Sequence, residues 1–151
     1  MTNPLIRLAA PKDAKRVGDI FVASRAAALP FLIEAHSPDE MRRWIAQVVL
    51  PQGSTWVACE DDKIVGFLTL NDDKIEHLYL IPDHTQQGVG TALMEHAKAR
   101  SPDRLSLYCF AENHPARRFY ETHGFYAEAF GNGSDNEEGA PDILYRWDGS
   151  D

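Results

Sequence analysis

One stretch constrains this chain more than any other: the apolar run Ile75–Pro82, the polar turn after it, and the segment opened by Gly88 and Gly90 and continued by Leu93 and Met94. The run is rich in strand formers and ends at a proline, while the apolar residues after Gly88 recur at helical spacing. The order is therefore strand, loop, helix N-terminus. Backbone N–H groups of Gln86, Gln87, Gly88, Val89, Gly90 and Thr91 then point forward from the first turn without intrahelical partners, backed by the positive end of the helix dipole. Such an end takes phosphate, and glycine at 88 and 90 lets a ligand oxygen come close to the main chain. Two better-known phosphate loops are absent. Leu93 stands where a dinucleotide fingerprint needs its third glycine, and no Gly-Lys-Ser/Thr follows.

The rest of the chain supplies the frame. Leu5–Ala9 reads as a short strand, and Pro11 and Asp13 start a helix to about Leu29 with Val17, Ile20, Phe21 and Ser24 on one face. Ser37-Pro38-Asp39-Glu40 reads as an N-cap, a first-turn proline and an acidic first turn, with Met41, Trp44, Ile45 and Val48 as the apolar stripe. Trp56–Cys59, Ile64–Leu70 and Ile75–Ile81 are three strands of an antiparallel meander. The glycine-led helix runs to about Arg100, and Arg104–Phe110 follows as a fifth strand, parallel to Ile75–Ile81 through a right-handed crossover. A short helix from Pro115 to Gly124, a strand at Tyr126–Phe130, a polar loop and a last strand at Ile143–Trp147 complete the order.

With 151 residues, 44% of them hydrophobic, the chain holds one domain, 1–151, with a core of its own. A net charge of −8 without a basic run argues against nucleic acid as a direct partner and suits a basic acceptor. Cys59 and Cys109 lie inside strands without metal spacing, so reduced buried thiols and no metal are expected. No apolar run approaches transmembrane length, and the N-terminus lacks a long apolar segment; no membrane partner and a soluble, cytoplasmic protein are the expectation.

Thr85-Gln86-Gln87-Gly88-Val89-Gly90 resembles the acyl-CoA loop of the GNAT N-acetyltransferases, Gln/Arg-x-x-Gly-x-Gly/Ala, with Thr85 departing from its first position. Asn113, Ala116, Phe119, Tyr120, Gly124 and Phe125 fill every fixed position of the family's second pattern, Asn-x-x-Ala-x-x-Phe-Tyr-x-x-x-Gly-Phe. The resemblance spans Leu5 to Phe130. It implies an α/β (α+β) fold, with a mixed, mostly antiparallel sheet of about seven strands and four helices, splayed between the fourth and fifth strands. It also implies acetyl-CoA as cosubstrate. Pantetheine would pair with the strand edge at Leu78, Tyr79 and Leu80, Asn113 would contact its arm, and Tyr120 would protonate the departing sulfur. Glu76 occupies the position of the family's base or acceptor anchor, and by simple alternation shares its face with Leu78 and Leu80.

The expected acceptor is a small-molecule primary amine, walled by His36 and Trp44 on one side and by Asn136, Glu137 and Glu138 on the other. A homodimer is left open. Two other classes stand beside this one: a non-catalytic acyl-CoA-binding module, and an acyltransferase using a different acyl donor or a hydroxyl acceptor.

Overall fold

In a computed structural model describing residues 4–84 and 88–149, the strands are β1 (Leu5–Leu8), β2 (Thr55–Glu60), β3 (Lys63–Asn71), β4 (Lys74–Leu80), β5 (Leu105–Phe110), β6 (Tyr126–Gly131) and β7 (Asp142–Trp147). The helices are α1 (Ala14–Ala28), α2 (Pro38–Trp44), α3 (Val89–Arg100) and α4 (His114–Thr122). One seven-stranded sheet has the order β1-β2-β3-β4-β5-β7-β6. All neighbours are antiparallel except β4 and β5. That parallel contact amounts to one register pair, Lys74 with Ser106, closed by Ser106 N–H donating to Asp73 O at 2.9 Å. Beyond it the strands diverge, giving the expected splay.

The two faces carry separate cores. Val17, Phe21, Met41 and Ile45 from α1 and the segment after it pack on Val57 and Phe67. On the opposite face Val89, Leu93, Met94 and Ala97 of α3 pack on Leu68, Leu107 and Tyr145. Loss of water contact by these side chains is the main drive for both layers.

Two local departures from simple periodicity matter for the site. The α2 capping box forms as expected, with Glu40 N–H donating to Ser37 Oγ and Ser37 N–H to Glu40 Oε1. The helix then widens into a π turn over Ile45–Val49, which shifts the buried row to Met41, Ile45 and Val49 and leaves Trp44 42% and Val48 44% exposed. The expected stripe through Trp44 and Val48 is thereby corrected. In β4, His77 pairs with Thr69 but Ile75 with Leu70, so Glu76 is the extra residue of a bulge. Ile75, Leu78 and Leu80 then pack on the α3 side, and Tyr79 on the α1 side. Alternation does not carry through Glu76, and the shared-face argument made for it fails.

Candidate active site

Where β4 and β5 part, a cavity of about 450 Å³ opens. Leu78, Tyr79 and Leu80 line one wall, Cys109 and Phe110 the other, and Gly90, Asn113 and Tyr120 the α3–α4 side. Ser24, Ala28 and Leu29 of the α1 end close the opposite flank, and Glu76 and Arg118 also reach it. Past Lys74 the β4 edge has no strand partner on this side among the described residues, so its amides and carbonyls can pair with an extended ligand.

At the head of α3, Gly88 is the N-cap with φ of 81°, a left-handed turn that glycine adopts without strain. Among the described residues beyond its chain neighbours, nothing lies within 4 Å of where a Cβ would stand on it. The helical ladder starts with Ala92 N–H donating to Gly88 O at 3.0 Å, so the amides of Val89, Gly90 and Thr91 have no acceptor within the helix. The Val89 side chain itself is fully buried in the core, and Thr91 Oγ1 lies 3.3 Å from His123 Nε2. Gly90 has a different reason for its missing side chain: a Cβ there would sit 3.2 Å from Phe119 Cε1 and 3.5 Å from Leu80 Cδ1. Gln86 and Gln87 lie outside the described residues.

Asn113 caps α4, accepting from Ala116 N–H at 3.4 Å, which leaves its amide NH₂ to donate. Asn113→Ala is expected to destabilise the fold by about 1 kcal/mol, the usual loss for an N-cap, read as a lowered thermal midpoint; an unchanged midpoint would show that the cap carries no load. The left-handed Gly124 ends the helix, with Phe125 N–H bonded back to Tyr120 O at 3.0 Å. Tyr120 is thus held from both helix ends, with its ring against Phe119, Phe125 and Tyr145. Its hydroxyl has no hydrogen bond among the described residues, and burial, then Cys109 and Tyr79, push its pKa well above the ordinary tyrosine value. The same cleft pushes the Cys109 thiol up to about 12, chiefly by burial.

A second cavity, about 530 Å³, lies between α1, α2 and the β6–β7 loop. His36, Trp44, Glu137 and Glu138 line it together, with Phe21, Arg25, Glu34 and His77. Asn136 is not brought there; its side chain bonds Ala140 O at 2.8 Å and Ala140 N–H at 3.2 Å within its own loop. Glu137 Oε2 lies 2.9 Å from His36 Nε2. Arg25 donates to both oxygens of Glu34 at 3.0 and 2.7 Å, to Glu138 at 3.4 Å and to the Tyr79 hydroxyl at 3.3 Å. Burial alone would lower the Arg25 pKa, but Glu34 and Tyr79 hold it above the ordinary guanidinium value. The Glu76 carboxylate stays at the cleft rim, 3.4 Å from Asn71 Nδ2 and 3.9 Å from Lys74 Nζ.

Sequence reading passed over Arg25 and Glu34. The signal for Arg25 was its place four residues beyond Phe21 and eight beyond Val17, on the row that turns out to be buried. For Glu34, on an irregular segment, no local pattern existed.

Comparison with known proteins gives a consistent picture. The sequence model of the Acetyltransferase (GNAT) family matches residues 21–125. The chain is 38% identical over 77 residues to a protein of Salmonella typhimurium named peptidyl-lysine N-acetyltransferase YjaB, an alignment covering 50% of this chain and 52% of that one. It therefore spans about half the length of the curated relatives it matches first. The solution structure of the apo form of YjaB from Escherichia coli superposes with a TM-score of 0.82 at 27% identity, covering 99% of this chain and 100% of that one. A second structure, the PaiA N-acetyltransferase of Thermoplasma acidophilum in complex with coenzyme A, shares the fold with a TM-score of 0.73 at 18% identity, over 97% and 99% of the two chains.

Proposed function

From the premise that this chain belongs to the GNAT acetyltransferase family, we propose that it transfers the acetyl group of acetyl-CoA to a primary amine. The observation that carries the reading is the cleft between β4 and β5, which sets a strand edge beside a tyrosine hydroxyl, neither with a partner among the described residues. Acetyl-CoA is a substrate here. Its phosphates would meet the amides at the head of α3, and its pantetheine arm would extend the sheet at Leu78–Leu80 with Asn113 donating from the side. Tyr120 would then protonate the leaving sulfur. Burial disfavours a thiolate and a tyrosinate alike in this cleft, as the raised Cys109 thiol and the raised Tyr120 hydroxyl indicate, so the proton would pass to sulfur as the C–S bond breaks and solvent would then restore the Tyr120 hydroxyl.

The second cavity suits the acceptor. It sets an apolar wall of Phe21 and Trp44 against carboxylates at Glu34, Glu40, Glu137 and Glu138, opposed by the guanidiniums of Arg25 and Arg43. An ammonium on an aliphatic stem matches both walls. Glu76 at the neighbouring rim acts as an anchor for it. The names of the YjaB relatives favour a lysine side chain as the bearer of this amine over the free small molecule expected from sequence.

The test is thiol release from acetyl-CoA with a panel of alkylamines and lysine peptides. Turnover with at least one is expected. Tight acetyl-CoA binding without any release would instead support the non-catalytic module. With an accepted amine in hand, Glu137→Gln is expected to raise its KM several-fold, because Glu137 is exposed and, among the described residues, bonded only to His36, while KM for acetyl-CoA stays put. An unchanged amine KM would assign Glu137 to solvent. Glu138 is a poorer probe, since removing its charge also disturbs Arg25.

A further inference from the structure

The π turn after α2 turns an apolar pair outward at the acceptor cavity. Had the α-helix run on, Met41, Trp44, Ile45 and Val48 would share one buried stripe. With the widened turn over Ile45–Val49 the buried row is Met41, Ile45 and Val49, and both Trp44 and Val48 line the second cavity while remaining exposed. Residues four apart on a helix are neighbours, here about 6 Å apart along the axis. The Trp44 ring is steadied from within, its centroid 5.9 Å from that of Phe21 and 5.3 Å from that of His77, so its exposed part is a fixed platform. An exposed apolar patch beside a pocket marks a contact surface, and π turns are rare and frequent at functional sites.

The rest of the cavity says what such a step would hold. A free alkylamine is spanned by Phe21, Trp44 and the carboxylates and gains nothing from Val48, whereas a polypeptide carries further side chains that can. An acidic one would be repelled by Glu34, Glu40, Glu137 and Glu138, and a second basic one by Arg43, all of which line the same cavity. An apolar side chain meets neither penalty. In an extended peptide side chains alternate, so the one that faces the same surface as the lysine stands two positions away, roughly 7 Å along the chain.

We propose that the acceptor is a polypeptide with a bulky apolar side chain two residues from the target lysine, and that Trp44 and Val48 hold that side chain; this rests on the acetyltransferase reading above. Gln47 lines the same cavity, and its side-chain amide can both donate to and accept from the peptide backbone. The contact lies away from the reacting atoms and is made equally in the ground state and the transition state, so it acts on KM and not on kcat.

The experiment compares pentapeptides blocked at both ends: one with lysine centred among four glycines, and two in which leucine replaces the first or the last glycine. One of the leucine peptides should show a KM about fivefold below that of the glycine peptide, the value for half-burying a leucine, with kcat unchanged. That ratio should fall to near one in Val48→Ser, which alters an exposed side chain, and in Trp44→Ala, a thermal midpoint establishing that each is folded. A ratio near one in the parent, or a ratio that persists in folded Val48→Ser, would overturn the proposal. So would n-butylamine turned over with a kcat/KM at or above that of every peptide, which would return the site to a free amine. A parent that sediments as a dimer dissolved by Val48→Ser would also overturn it, assigning the step to a second copy of this chain. If no peptide and no amine releases thiol from acetyl-CoA, the acetyltransferase reading itself fails, a different result.

Discussion

Tyr120→Phe is expected to lower kcat by about 10²–10⁴-fold, the usual contribution of a positioned general acid, with acetyl-CoA affinity and thermal midpoint unchanged. The separation is expected because the hydroxyl makes no hydrogen bond among the described residues, while the ring does all the packing, against Phe119, Phe125 and Tyr145. Removing one oxygen therefore leaves no buried partner unsatisfied. Pre-steady-state thiol release is the sharper readout, since only the step in which sulfur departs should slow. A parental rate in the variant would pass the acid role to water.

Gly90→Val is expected to lose on two counts. The new side chain must enter space already bounded by Phe119 and Leu80, where even a Cβ is tight, and overpacking of this kind costs about 1–3 kcal/mol. Relief comes most easily by shifting α4, and Phe119 carries Tyr120 beside it at 5.6 Å between ring centroids. A thermal midpoint lower by several degrees together with weaker acetyl-CoA binding is the expected pair of results. Gly88→Ala isolates the other effect: the described residues leave space open there, but φ of 81° sets an alanine in the left-handed region, at a cost of roughly 1–2 kcal/mol. Calorimetry with acetyl-CoA on both variants decides. Parental stability and affinity in Gly90→Val would mean that α4 does not bear on that glycine.

Much of this was legible because it is local. The turn at Gly88, the capping box at Ser37 and Glu40, and the helix from Asn113 to Gly124 are each set by residues within a few positions of one another, so spacing alone reports them. Two features hid from that kind of reading for the same geometric reason. The π turn at Ile45–Val49 and the bulge at Glu76 each insert one residue into a regular repeat, which moved Trp44 and Val48 outward and broke the alternation linking Glu76 to Leu78. The Arg25 network was out of reach for another reason. Glu138 lies 113 residues from Arg25 along the chain, and only the assembled fold brings α1 to the β6–β7 loop. Gly90 was read as clearance for a ligand, whereas a large part of its constraint is clearance for Phe119.

The single pair joining β4 to β5 also bears on how a chain can carry unfinished strand edges. An open edge at the rim of a sheet invites a second molecule to add its own strand, the usual route to fibrils and precipitates. Here two further edges lie in the middle of the sheet, recessed between the end of α1 and the flank of α4. A narrow extended ligand can enter that slot, but another protein's sheet, with its own side chains above and below, is too thick. The molecule can therefore keep backbone hydrogen-bonding groups available to a ligand without offering them as a template for aggregation.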